Sequence, residues 1–391
     1  MIRLILLTDF TESFSYNLLK GILAYSKSHG PWVICRMPPS YKQTYGIEGV
    51  LQWAKTWEAD AIIGRFNNDD KVELFRENGI IAIAQDYKSR FTSIPNITGN
   101  YYKTGKMAAE FFISKGFQHF AFYGYQDTVW SQERHDGFYQ CIEEYGFGKS
   151  FYSYQKQSLD DLWFYEAMPL LNWLKSLPRS TALMACDDNQ GNRIIEICQV
   201  NHIRVPEDIA ILGVDNDEVI CNLSIPSLSS INLNIVRGGF EAAQLIDQLL
   251  NDEQSTYRDV VIQPINIINR LSTDFYSTTD PHIHSALMYI HHNLANEITV
   301  SDIVKQVPLS RRLLEIRFKA VTQQSVYKYI FNLRMERFAQ LLLVSDAPIA
   351  DVAEQVGISD VKNLSRQFKA LKHRSPTEYR KEYKIIPNYT Y

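Results

Sequence analysis

The sequence predicts an α/β domain of parallel sheets followed by an all-α domain built from a duplicated helix-turn-helix pattern. Three observations carry this. Short apolar runs alternate with amphipathic stretches over the first 270 residues. The segment Val300-Ser301-Asp302-Ile303-Val304-Lys305-Gln306-Val307-Pro308-Leu309-Ser310 returns as Ile349-Ala350-Asp351-Val352-Ala353-Glu354-Gln355-Val356-Gly357-Ile358-Ser359, 49 residues later. Charge divides the same way: residues 281–391 hold 16 Lys+Arg against 10 Asp+Glu, a net +6, whereas the remainder carries −10. The expected boundaries are 1–272 for the first domain, 273–283 for a linker and 284–391 for the second domain.

Runs at 2–7, 60–63, 80–84, 119–123, 181–186 and 209–214 read as strands. Stretches at 14–28, 69–77, 102–115, 134–145, 165–176, 189–201 and 237–250 read as the helices between them. This alternation implies right-handed crossovers between parallel strands. Ligands of such sheets bind beyond the carboxyl ends of the strands. Asp9-Phe10, Gln85-Asp86, Asp187-Asp188 and Asp215-Asn216 follow apolar runs directly, so they are candidate ligand positions.

In the second domain Val300, Ile303, Val304 and Val307 form one apolar helix face, as do Ile349, Val352, Ala353 and Val356. A second helix of each unit starts at Ser310 and near Ser359, both plausible N-caps. Leu314/Phe318 and Leu364/Phe368 sit four apart and point to the core. That leaves Arg311, Arg312, Glu315 and Ile316 outward in one unit, and Lys362, Asn363, Ser365 and Arg366 in the other. The polar ones among them can hydrogen-bond base edges or phosphates. Ser325 to Val344 reads as one connecting helix. At about 1.5 Å per residue it spans roughly 30 Å, close to one duplex turn of about 34 Å. Two units so joined suit double-stranded DNA with tandem half-sites.

Exclusions follow. Five scattered cysteines without a C-x-x-C pair read as reduced thiols. The first residues are too short an apolar run for a signal segment, and no eighteen-residue apolar stretch exists. A cytoplasmic, non-membrane protein is expected. No Gly-x-x-x-x-Gly-Lys loop or Gly-x-Ser-x-Gly elbow is present, and no nucleophile is paired with a base, so an enzyme is not expected. The histidines at 282, 284, 291 and 292 lack Cys or carboxylate partners at ligand spacing. No metal or cofactor is expected.

The C-terminal segment resembles the AraC-type DNA-binding domain. The likeness rests on Arg334-x-x-x-x-Ala339-x-x-Leu342-Leu343, the Ile349–Ser359 segment, Leu364-x-x-x-Phe368-Lys369 and Ser375-Pro376-x-x-Tyr379-Arg380. Pro308 replaces the turn glycine of the first unit, and Gln323 and His373 stand where glycine is usual after each second helix. A distorted first turn is expected, because proline cannot take a positive φ.

The first domain resembles the effector domain of the lac/galactose repressors, a two-lobed fold of the periplasmic-binding-protein type. Ala185-Cys186-Asp187-Asp188, the segment Val205–Asn216, Ile225-Pro226-Ser227-Leu228-Ser229-Ser230-Ile231 and Arg134-x-x-Gly137-Phe138 carry the likeness. The junction Asn269–Pro281, Trp130-x-x-Glu133-Arg134 and Phe120-Ala121-Phe122-Tyr123-Gly124 are similar to those of the xylose operon regulators, which join the two modules in this order. Gly99-Asn100 departs from the Asp-Asn usual in the class.

The resemblance implies a sugar in the cleft. Asp187 and Asp215 would accept from hydroxyls and Arg134 would donate. Phe10, Phe14 and Trp130 would stack on the ring, and Asp9 or Asp86 would complete the first lobe. Read without the likeness, Asp187 caps the helix after it, Arg134 forms a surface ion pair and Trp130 packs. The likeness further implies a homodimeric activator of xylose-utilisation genes, responding to xylose or a similar aldopentose and contacting RNA polymerase. The alternatives are another monosaccharide as effector, or a sugar-binding protein with no DNA role.

Overall fold

The computed structural model describes residues 1–157, 167–251, 256–274, 278, 280–322, 324–358 and 363–383. The chain opens with β1 (Ile2–Leu7), α1 (Ser13–His29), β2 (Trp32–Met37), α2 (Pro39–Thr56), β3 (Ala61–Gly64), α3 (Glu73–Glu77), β4 (Ile81–Gln85) and β5 (Asn96–Gly99). Helix α4 (Tyr101–Ser114) carries it to a second lobe. There follow β6 (His119–Tyr125), α5 (Val129–Glu144), β7 (Phe151–Lys156), α6 (Ala167–Ser176), β8 (Thr181–Ala185), α7 (Asp188–Val200), β9 (Ile209–Val214), α8 (Glu218–Leu223) and β10 (Ser229–Leu233). Helix α9 (Ile235–Asn251) returns to the first lobe and leads to β11 (Val260–Ile262). β12 (Pro264–Ile268) then crosses back to the second lobe.

Each lobe holds a six-stranded sheet, ordered β11-β5-β4-β3-β1-β2 and β12-β10-β9-β8-β6-β7. Pairing is parallel except between β10 and β12, which run antiparallel, so the expectation of wholly parallel sheets needs that correction. Central strands such as Ala61–Gly64 and Ile209–Val214 are buried along their whole length. Burial on both faces demands a continuous apolar run, and this is the signal the sequence carries. All four edge strands (β2, β7, β11, β12) and the inner strands β5 and β10, which carry polar residues, fall outside the runs expected from sequence. Trp32–Met37 and Phe151–Lys156 are mostly half-exposed.

The three crossings between lobes lie side by side. Asn100 N donates to Ile262 O (2.9 Å) and Asn234 N to Gln263 O (3.0 Å). Asn100 Nδ2 donates to Gln263 Oε1 (3.3 Å). One helix pair flanks each lobe at close range. A methyl at Gly21 of α1 would lie 1.9 Å from Val236 O of α9, and one at Gly105 of α4 would lie 2.0 Å from Arg134 O of α5. Only hydrogen in place of Cβ permits these approaches.

The all-α part comprises α10 (Pro281–His292), α11 (Val300–Val304), α12 (Arg311–Thr322), α13 (Val326–Val344), α14 (Ile349–Glu354), α15 (Leu364–Lys372) and α16 (Pro376–Tyr383). Helix α13 serves two cores. Val326, Tyr329 and Ile330 join Ile303, Leu314 and Phe318 in the first; Met335, Phe338, Ala339 and Leu342 join Val352, Leu364 and Phe368 in the second. Ser325 caps α13 by accepting from Lys328 N. The two turns differ. Gly357 takes φ +76°, whereas no residue from Val307 to Ser310 has a positive φ, and Leu309 N bonds back to Val307 O (2.8 Å). His373, the left-handed residue closing α15, has φ +58° without being glycine. Gln323 lies outside the described residues. Ile265 of β12 packs against the second core, which joins this domain to the second lobe.

Candidate functional site

Strand ends and helix starts from both lobes surround one cavity of about 180 Å³. The first lobe supplies Glu12, Ser13 and Phe14 at the start of α1, Arg65 after β3, Gln85-Asp86-Tyr87 at the end of β4, and Tyr101 opening α4. The second supplies Trp130 and Arg134 on α5, Asp187 to Gln190 after β8, and Asp215 and Asp217 after β9.

Arg134 is the most constrained of these. It is 3% exposed. Nη1 donates to Cys186 O, and Nη2 lies 3.3 Å from Asp215 Oδ1. Its guanidinium sits 5.2 Å from the Tyr101 ring centre and 5.3 Å from that of Trp130. Trp130 therefore already stacks on a protein cation.

Asp187 does both things its position suggested. Its Oδ1 accepts from Gln190 N (2.8 Å) and caps α7, while the residue lines the cavity. Burial pushes its carboxyl up from 3.8 to about 6, the Gln190 amide opposes this, and the nearby Asp215 adds to it. Burial also raises Asp215, against the pull of Arg134. Asp86 is 5% exposed and engaged on both oxygens, with Thr98 Oγ1 donating at 2.5 Å and Tyr101 OH at 2.8 Å. It orients Tyr101 within the cavity wall.

The structure thus brings together Phe14, Asp86, Trp130, Arg134, Asp187 and Asp215. It leaves out Asp9 and Phe10. The Asp9 carboxylate closes on its own turn, accepting from Thr11 N (2.9 Å) and Thr11 Oγ1 (2.7 Å). Phe10 lies under the Arg36 guanidinium, 4.5 Å from ring centre. Sequence reasoning missed Glu12, Arg65, Tyr87, Tyr101 and Asp217, while Gln85 and Asp188, also expected at strand ends, line the cavity. Arg65 and Glu12 form a two-point ion pair across the first-lobe wall. Arg65 and Tyr87 could have been found by carrying the strand-end rule one or two residues further.

In the α domain, Arg311, Arg312 and Ile316 are exposed on α12, as are Ser365 and Arg366 on α15. Asn363, the residue before α15, accepts from Arg366 Nη2 (3.2 Å). Lys362 lies outside the described residues. Glu315 is not an outward reader: its Oε2 accepts from Val326 N (3.3 Å), tying α12 to the start of α13.

A periplasmic-binding-protein-like family model matches residues 109–273, and a helix-turn-helix model matches residues 303–382. The xylose operon regulatory protein of Haemophilus influenzae is 32% identical over 328 residues, covering 82% of this chain and 84% of that one. The Escherichia coli K12 protein of the same name is 28% identical over 390 residues, covering 97% and 96%. The chain belongs to the xylose operon regulatory protein family. A solved structure described as the xylose-binding transcription activator XylR matches 98% of both chains with a TM-score of 0.59 and 25% identity. A LacI-family regulator from Enterococcus faecium, solved with ribose, matches 70% of this chain with a TM-score of 0.57 at 18% identity, a likeness of fold. Members of this family are DNA-binding transcription regulators, and this chain has both of their modules. Among the described residues no helix is long and apolar enough to cross a membrane.

Proposed function

We propose that this chain is a sugar-responsive transcriptional activator whose inducer is xylose or a closely similar neutral aldopentose. The carrying observation is one small cavity in which Arg134, Asp187 and Asp215 of the second lobe face Phe14, Glu12 and Arg65 of the first. Its 180 Å³ is below the roughly 300–1,000 Å³ of pockets for drug-sized ligands, which favours a single ring. Glu12, Asp86, Asp187, Asp188, Asp215 and Asp217 outnumber Arg65 and Arg134. Burial raises Asp86, Asp187, Asp188 and Asp215, so the lining is rich in hydrogen-bonding oxygens yet supplies few cations for a phosphate, which suits neutral hydroxyls. A ligand bridging both lobes favours the closed arrangement, because only that arrangement gives it both sets of contacts.

On this reading the C-terminal units bind tandem half-sites as part of a homodimer in the cytoplasm, where RNA polymerase is the further partner. The names of the relatives and the five free cysteines support it. The test is calorimetry of the full chain with xylose, arabinose, ribose, glucose and a pentose phosphate, paired with promoter-fragment binding in each sugar. Xylose binding with altered DNA affinity is the expected result. Tighter binding of another neutral sugar would reassign the inducer. Preferential binding of the phosphate would overturn the reading of the cavity.

A further inference from the structure

The junction after β12 has one residue that reaches back toward the cavity. Arg270 Nη2 donates to Asn216 Oδ1 (2.8 Å), Nη1 donates to Leu228 O (2.9 Å), and its backbone N donates to Ser229 Oγ (2.7 Å). Asn216 immediately follows Asp215, which lines the cavity and lies against Arg134.

This turn is strained in a way that few turns are. Asp215 has φ +100° and Asn216 φ +51°, two consecutive non-glycine residues on the wrong side of the backbone map. Asparagine tolerates this region better than most residues, but Asp215 at +100° persists only where its surroundings hold it. Here the hold comes from Asp215 N on Ile231 O (3.0 Å), Asn216 N on Ser230 Oγ (2.9 Å) and the Arg270 fork.

The residues after Arg270 are locked to the same two strands. Ser272 and Thr273 are fully buried. Ser272 Oγ donates to Ile211 O of β9 (2.6 Å), Ser229 N of β10 donates to Ser272 Oγ (2.8 Å), and Thr273 Oγ1 lies 2.6 Å from Ser229 Oγ. The far end of the linker is clamped as well. Asp280 caps α10 through His282 N (3.0 Å), and its other oxygen accepts from Arg317 Nη1 (3.2 Å), on the second helix of the first helix-turn-helix unit.

The geometry points to Asn216 and Arg270 as a relay that tells the linker whether the cavity is filled. This inference rests on the sugar-responsive reading above. When Asp215 exchanges its long contact with Arg134 for a ligand hydroxyl, the strained turn is re-aimed. Asn216 then shifts its grip on Arg270, and the turn at Leu271–Thr273, bonded to β9 and β10, shifts as one unit with those strand ends. Both are positioning residues: neither lines the cavity, and neither faces the outward surface of α12 or α15.

The test uses the full chain. Asn216→Gly removes the acceptor and accepts the positive φ without strain. Asn216→Asp keeps an acceptor for Arg270. Xylose affinity is read by calorimetry, and promoter-fragment affinity by anisotropy with and without xylose. Expected is a near-wild-type xylose Kd for Asn216→Gly, with the DNA-affinity ratio falling to within about twofold of one. The Asn216→Asp chain retains the wild-type ratio. A responsive wild type with an equally responsive Asn216→Gly overturns the relay alone. A wild type that binds DNA equally with every sugar in the panel overturns the proposed function, and the relay falls with it.

Discussion

Arg134 Nη2 lies 3.3 Å from Asp215 Oδ1 across the floor of the cavity, longer than a good charge-assisted bond. The same guanidinium is fixed by Cys186 O and by two aromatic rings. A donor held this firmly, with one loosely engaged carboxylate, is set to serve a third group. Arg134→Met should weaken xylose binding by about 1.5–3 kcal/mol, the worth of hydrogen bonds to a charged group. Calorimetry reads this as a Kd roughly 10- to 150-fold higher. An unchanged Kd in a folded variant would make Arg134 a purely structural strut.

Acid should weaken the same interaction. Burial raises the Asp187 carboxyl to about 6, and a protonated carboxyl offers fewer acceptor sites. Xylose affinity should fall about tenfold between pH 7 and pH 5 if only the ionised form binds. The stability effect has the opposite sign. A carboxyl whose folded pKa is raised contributes most below its ordinary value of 3.8, and that contribution is lost as pH rises through 6. Asp187→Asn, which can still cap α7, should therefore raise the ligand-free Tm at pH 7 while abolishing the pH dependence of binding. A pH-independent wild-type Kd over this range would sink the assignment.

Close helix packing positions the cavity from behind. A methyl at Gly105 would sit 2.0 Å from Arg134 O and one at Gly21 would sit 1.9 Å from Val236 O. Both alanine variants should lose about 1–3 kcal/mol by overpacking. Only Gly105→Ala displaces α5 at Arg134, so it alone should also weaken xylose binding. Equal affinities in the two variants would show that α5 tolerates the shift.

How much of this was readable beforehand follows from burial. Wholly apolar inner strands such as β3 and β9 announce themselves, whereas the inner strands β5 and β10 are as well buried but carry Asn, Thr and Ser, and the edge strands β2 and β7 are mostly half-exposed, so neither group was expected from sequence. The double helix-turn-helix was readable because its repeat fixes Leu314/Phe318 and Leu364/Phe368 as core pairs. Side-chain direction was harder. Asp9 sits at a strand end like Asp187, yet its carboxylate folds onto Thr11. Glu315 sits at an outward-looking helical position, yet it reaches the amide that opens α13. Asp9 satisfies donors two residues on and Glu315 an amide eleven residues on, a competition that spacing does not reveal.

His373 offers a test of the second unit's stability. It closes α15 at φ +58°, where a residue with a Cβ costs roughly 1–2 kcal/mol. His373→Gly removes that cost but adds unfolded-state entropy. A net gain of about 0.5–1 kcal/mol is expected. Slower hydrogen exchange in α15 and α16 measures it. Faster exchange would mean that the imidazole makes a contact worth more than the strain.

Arg366 separates base reading from phosphate contact. Arg366 is exposed on α15, one turn from Asn363, whose Oδ1 accepts from its Nη2 at 3.2 Å. That bond pre-orients the guanidinium before DNA arrives, which lowers the entropy lost on binding. A guanidinium that reads a guanine edge is worth about 1–3 kcal/mol on the cognate site and relaxes specificity when removed. A phosphate contact instead weakens all sequences alike and reduces the salt slope by about one. Because the fork is already aimed by a neighbouring side chain, Arg366→Ala should show the first pattern. Binding isotherms on cognate and scrambled fragments at several salt concentrations distinguish the two, and an equal loss on both fragments would return Arg366 to the phosphate backbone.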